Sequence, residues 1–101
     1  MKVVITAAAR DDMIAIGDFI AADNPARARS FVRDLRAAVM LIGEMPLAFP
    51  LVARYEAMGV RRRPWRNHLV FYRVDRQRVT VLHVIHGARD YEAILVPTPP
   101  A

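Results

Sequence analysis

Hydrophobic positions along the chain follow two periods. "KVVIT", residues 2–6, is a short β-branched run and predicts a strand. The pattern then changes to a helical one. Ala9, Met13, Ile16 and Ile20 recur at i, i+4, i+7 and i+11, which is one face of a helix over residues 7–22. Thr6 suits its N-cap, and Asp11 and Asp12 lie near the positive end of its dipole. Asn24 and Pro25 signal a second start, with proline at the first helical position where its missing N–H is harmless. Ala28, Phe31 or Val32, Leu35, Val39 and Ile42 continue an apolar stripe over residues 25–42, and Gly43 suits the stop. Two or three residues link the helices, so they are expected to form an antiparallel hairpin.

Between residues 44 and 59 the periodicity fails, and Pro46 and Pro50 point to a loop over one end of the core. The remainder reads as a β-meander. Its strands are Val60–Trp65, confined to a sheet edge by Pro64, then His68–Val74, then Arg78–His86, with "DRQR" as the last turn. Strict alternation puts Val70, Tyr72 and Val74 on one face and Leu69, Phe71 and Arg73 on the other. In the third strand it sets Thr80, Leu82, Val84 and His86 against Val79, Val81, His83 and Ile85. Both faces are apolar. A helical hairpin covers only one, so the other packs against loops or binds a partner. Phe31, Leu35, Val70, Leu82 and Val84 are expected in the core. Gly87 supplies a positive φ or a tight exit from the last strand. Asp90 either pairs locally with Arg89 or caps a short helix over "YEAIL", and "PTPPA" is a frayed tail. The fold class is therefore α+β: one domain over residues 1–96, with 97–101 as tail.

Composition adds direction. With 101 residues, one domain is the prior. No cysteine is present, which excludes disulfides, zinc-thiolate sites and a thiol nucleophile and fits a cytoplasmic location. No apolar run approaches the ~20 residues of a membrane span, and the first twelve residues meet charge too early for a secretory signal. The net charge of +5 is lopsided: residues 1–50 carry six basic and six acidic side chains, residues 51–101 nine arginines and four acids. Fourteen of the fifteen basic residues are arginine, whose planar fork suits carboxylates and phosphates. An acidic partner is the natural inference, against the plainer reading of an arginine-rich genome.

Candidate chemistry is sparse. Arg61, Arg62, Arg63 and Arg66 bracket Trp65, a mixture that contacts a protein partner, stacks and neutralises single-stranded nucleic acid, or simply keeps an edge strand soluble. His83 and His86 are expected on opposite faces of one strand, and His68 near a strand start, each a structural histidine first. There is no carboxylate pair, phosphate-cradling glycine loop or Ser/His/Asp arrangement. No catalytic residue, metal site or cofactor is expected, and the protein reads as one that acts by binding.

Five segments in order resemble one family. The first helix is similar to the pattern A-x-x-D-L-x-x-I-x-x-Y-I, here Ala9, Asp12, Met13, Ile16, Phe19 and Ile20. "DNPARA" at residues 23–28, "MP" at 45–46, "GVRRRPWRNHLVFYRV" at 59–74 and "VIHGARD" at 84–90 follow. Together, over roughly residues 3–95, they resemble the ParE/RelE toxin superfamily of bacterial toxin–antitoxin systems, with the ParE or plasmid-stabilisation branch the nearer. The resemblance implies an N-terminal strand, a helical hairpin, a three-stranded antiparallel meander forming one sheet and a short C-terminal element. It further implies a toxin neutralised by a cognate ParD-like antitoxin and directed at DNA gyrase, with RelE-type mRNA cleavage on the ribosome as the alternative and a non-toxic binding module as a third. Arg61, Arg63, Trp65, Arg66, Arg73 and Arg89 are the residues this reading assigns to a partner or target. Arg89 stands where the RNA-cleaving relatives carry a catalytic arginine, but Tyr91 follows too soon to match their tyrosine, and the sole lysine is Lys2. Direct binding of DNA by this chain is not expected.

Overall fold

The computed structural model describes residues 1–88, 91 and 95. In it the two helices and four strands run β1 (Lys2–Ile5), α1 (Ala7–Ala21), α2 (Pro25–Leu41), β2 (Val60–Trp65), β3 (His68–Val74) and β4 (Arg78–His86). Single 3-10 turns occupy Ile42–Glu44 and Glu56–Met58. Each helix begins where its cap residue dictates. The Thr6 hydroxyl accepts the Ala9 N–H at 3.1 Å and donates to the Val81 carbonyl at 2.8 Å, so one side chain starts α1 and fastens it to β4. Asn24 Oδ1 accepts the Arg27 N–H at 3.1 Å, and Pro25 takes the first turn of α2. Both helices stop one residue short of the periodic pattern, as the chain tightens into turns at Ala22 and Ile42. Asp11 and Asp12 lie beyond the first turn of α1, so the dipole is not what uses them.

The sheet order is β1-β4-β3-β2, with β2, β3 and β4 antiparallel and β1 parallel to β4. The first strand thus makes the sheet mixed. The hairpin packs on one face. There Ala9, Met13, Leu35, Val39 and Ile42 meet Val70, Tyr72, Val79, Val81 and Val84 in the main core. The second face is covered from within the chain. Val52 and Tyr55 of the loop bury against Val60, Phe71 and Ile85, with Leu69, Leu82, Tyr91 and Leu95 at the margin. The loop after α2 therefore lines this face of the sheet, and loops answer the question of what two apolar faces are for. Its segment Pro50–Val52 also pairs with β2: the Val52 N–H donates to the Val60 carbonyl at 2.8 Å and the Arg62 N–H to the Pro50 carbonyl at 3.1 Å. Along β2, the end that carries Pro64 has no outer strand partner among the described residues.

The alternation in β4 is broken, which corrects the faces expected for it. The register runs Tyr72↔Val81 and then Phe71↔His83, so Leu82 is an extra residue, a β-bulge. Past the bulge the faces exchange. Val84 joins Val79 and Val81 in the main core, and Leu82, expected beside Val84, packs against the second cluster and is only partly buried. Phe31, Leu35, Val70 and Val84 are buried as expected. Gly87 shows no positive φ. It serves as the tight exit, its N–H donating to the Asn67 carbonyl at 2.8 Å. Asp90 and most of "YEAIL" lie outside the described residues, as do residues 97–101. Among the described residues no helix is long and apolar enough to cross a membrane.

Candidate partner-binding surface

The arginines of β2 divide by strand parity. Arg61, Arg63 and Trp65 pair with Tyr72, Val70 and His68, so they stand on the helical side of the sheet, whereas Arg62 stands on the other. Arg61 donates to the Phe49 carbonyl at 2.7 Å and holds the loop after α2 in place. Arg63 donates to the Pro64 carbonyl at 2.8 Å and lies 5.0 Å over the Phe49 ring. The Tyr72 hydroxyl, donating to the Pro46 carbonyl at 2.8 Å, closes the same corner. Burial pushes its phenol above the ordinary value, with Arg61 and then Arg63 opposing.

Arg66 is the most unusual of the group. It is the first residue of the two-residue Arg66–Asn67 turn between β2 and β3, with φ at 52°, a left-handed conformation uncommon for a side chain with a Cβ. Its guanidinium lies 4.4 Å over the Trp65 ring and 5.3 Å over the Phe31 ring, and donates to Asp34 at 3.3 Å. Trp65 meets Phe31 edge-on at 5.2 Å. The result is a cationic and aromatic corner: Arg61, Arg63, Trp65 and Arg66 are brought together, backed by Phe31 and Phe49. Arg73 is not part of it. It is exposed and pairs with Val60 on the opposite face. Arg89 lies outside the described residues.

Two grooves flank the hairpin. One, of about 850 Å³, runs between β1 and the helices over Val3, Ile5, Met13, Ile14, Val32 and Met40, with Arg10, Arg29, Arg36 and Asp18 lining it. The other, of about 580 Å³, lies between α1 and the Arg66–Asn67 turn and contains Phe19, Phe31, Arg27, Arg66, His68 and His86. Phe19 is 84% exposed, which is far more than a large aromatic normally shows without a partner.

The histidines do not behave as three isolated structural residues. His83 and His86 do take separate partners, as their shared strand suggested. His83 Nδ1 lies 2.9 Å from Asp12, and His86 meets His68, ring to ring at 5.3 Å. The His68–His86 pairing comes from two strands and was missed by strand parity. Counting back from the turn, where Val74 faces Val79, sets Ile85 opposite His68; the extra residue at Leu82 brings His86 there instead. Burial, followed by the second imidazole, lowers the pKa of His68 from its ordinary value. Among the described residues no group of three or more His, Asp or Glu could hold a metal ion.

With this geometry in view, the comparisons decide the family. The model of the ParE toxin of type II toxin–antitoxin systems matches residues 3–91. The chain belongs to that family. Among solved structures, the chromosomal ParDE toxin–antitoxin system from P. aeruginosa is similar in fold, with a TM-score of 0.72, 21% identity, and coverage of 85% of this chain and 95% of that one. No curated protein matches the chain. The ParE-like order of one strand, a helical hairpin and a meander is thus the observed architecture.

Proposed function

We propose that this ParE-family toxin inhibits DNA gyrase in the cytoplasm by binding, and that a ParD-like antitoxin neutralises it. The family assignment over residues 3–91 carries the reading. Three features of the chain support it. The apolar grooves beside the hairpin and the exposed Phe19 are surface that an amphipathic antitoxin segment, folding as it binds, would cover. The net charge of +5 favours an acidic segment. The corner of Arg61, Arg63, Trp65 and Arg66 is the surface we assign to the target. There the left-handed Arg66 keeps its guanidinium on two aromatic rings. Strain of this kind persists where it is over-determined, often at sites of recognition.

Action by binding also fits the donor set. Arginine stays protonated at neutral pH and cannot serve as a general base. Expression without antitoxin is expected to cause filamentation and a DNA-damage response. Purified toxin is expected to block gyrase supercoiling or trap cleaved DNA. Codon-specific mRNA cuts on translating ribosomes, with gyrase unaffected, would overturn this reading in favour of RelE-type cleavage.

A further inference from the structure

His68 and His86 face each other across β3 and β4 with ring planes at 77°, and His68 also meets Phe31 edge-on at 5.7 Å. Nδ1 of His68 is buried and has no hydrogen-bond partner among the described residues. Nδ1 of His86 accepts the Ala88 N–H at 3.2 Å. A proton on either Nδ1 would lack an acceptor or break that bond. Both neutral rings are therefore best accommodated with the proton on Nε2, and each then offers one N–H donor.

The surrounding charges make the groove short of acceptors. Arg27 and Arg66 line it from α2 and from the turn. Asp12, the acid that α1 contributes, is occupied by His83 and by the Val84 N–H, both at 2.9 Å. Asp34 of α2 is shared between Arg66 at 3.3 Å and Arg33 at 3.5 Å. Two guanidinium groups and two imidazoles thus border an apolar wall of Ile16, Phe19 and Ile20, and among the described residues the nearby carboxylates, Asp12 and Asp34, are both already engaged. Such a site attracts an anion attached to something apolar.

We propose that this groove is a proton-tuned carboxylate site. It takes an acidic side chain of an amphipathic helical segment, which lays its apolar face on Ile16, Phe19 and Ile20 and its carboxylate against His68 and Arg66. The proposal rests on the antitoxin reading only for the natural source of that segment. The bound carboxylate, accepting from Nε2, offsets through its charge the cost of a second proton on the buried Nδ1 and so favours the imidazolium form of His68, which burial and the neighbouring imidazole disfavour in the free protein. Binding then takes up a proton. Affinity rises as pH falls through the His68 pKa of the complex, and levels off below that of the free protein.

The test uses the full-length protein and two synthetic helical peptides. Both carry leucine on one face; one carries glutamate on the other, and its counterpart glutamine. Glutamate stays ionised throughout the range used. Calorimetry is expected to show the glutamate peptide binding about three- to tenfold more tightly at pH 6 than at pH 8, which corresponds to partial uptake of one proton across that range. The glutamine peptide is expected to bind more weakly and without that dependence. His68→Gln should remove the pH dependence while Arg66 keeps part of the affinity. Imidazole NMR of the wild-type protein needs no variant: the His68 pKa must rise when the glutamate peptide binds. Equal affinity for the two peptides, an unchanged His68 pKa, or shifts confined to the other groove at Ile14 and Met40 would overturn the site. Failure of the antitoxin reading would show separately, as no co-purification with the product of an adjacent reading frame.

Discussion

The carboxylate of Asp12 accepts the backbone N–H of Val84 at 2.9 Å, at the point where β1 has ended and β4 continues. A helical side chain thereby takes the place of a strand neighbour. The same oxygen lies 2.9 Å from His83 Nδ1, so one carboxylate ties α1 to two successive residues of β4. Asp12→Ala leaves a partly buried N–H without an acceptor and is expected to cost about 1–3 kcal/mol. Asp12→Asn retains an acceptor and should lose less. Urea unfolding of the two variants checks the order, and equal losses would refute the backbone role.

Leu35 is fully buried between α2 and the sheet. Leu35→Ala should cost about 2–5 kcal/mol, the range for a buried leucine that leaves a cavity. A loss below about 1 kcal/mol would mean that the hairpin repacks freely. The variant should keep the fold at low temperature and show a lower midpoint in chemical unfolding.

Most of the fold was legible because it rests on local signals. The three meander strands have the bounds that the sequence implied, since "RN" and "DRQR" are polar breaks between β-rich runs. Thr6, Asn24 and Pro25 set the helix starts for reasons of their own chemistry. The bulge at Leu82 was not legible. Nothing in "TVLHVIH" distinguishes an extra residue from continued alternation, because every position is compatible with a strand. That one residue moved Val84 into the main core and set His86 opposite His68. The parallel pairing of β1 depends on where the hairpin returns the chain, which no local pattern encodes. Of the expected site, Arg61, Arg63, Trp65 and Arg66 cluster because strand parity and a short turn bring them together. Arg73 falls on the other face by the same parity.

Arg61 and Arg66 should separate structure from recognition. Arg61 donates to the Phe49 carbonyl at 2.7 Å and restrains the loop, so Arg61→Ala is expected to cost about 1–2 kcal/mol. Arg66→Gly loses an exposed ion pair and cation–π contacts but relieves the left-handed backbone, and stability should stay within about 1 kcal/mol. Gyrase inhibition should nonetheless fall sharply with Arg66→Gly, and the acidic antitoxin segment should bind more weakly as well, because Arg66 also lines the groove proposed for it. A variant with full inhibition would remove Arg66 from the target surface.

The last prediction concerns pH and the stability of the free protein. Burial and the neighbouring His86 ring hold the His68 pKa below the ordinary histidine value. A histidine with a lowered folded pKa binds more protons when unfolded than when folded. Its contribution is therefore complete above the unfolded pKa, near 6.5, and is lost as pH falls through that value toward the folded pKa. Thermal unfolding of the free toxin should show Tm falling between about pH 7.5 and pH 5.5, as this linkage requires. Part of that fall should vanish in His68→Gln, whose amide does not titrate. The glutamate peptide should flatten the slope too, because its carboxylate stabilises the charged ring. If Tm falls equally in the wild-type protein and in His68→Gln, the pH response belongs to other groups and the buried Nδ1 carries no measurable penalty.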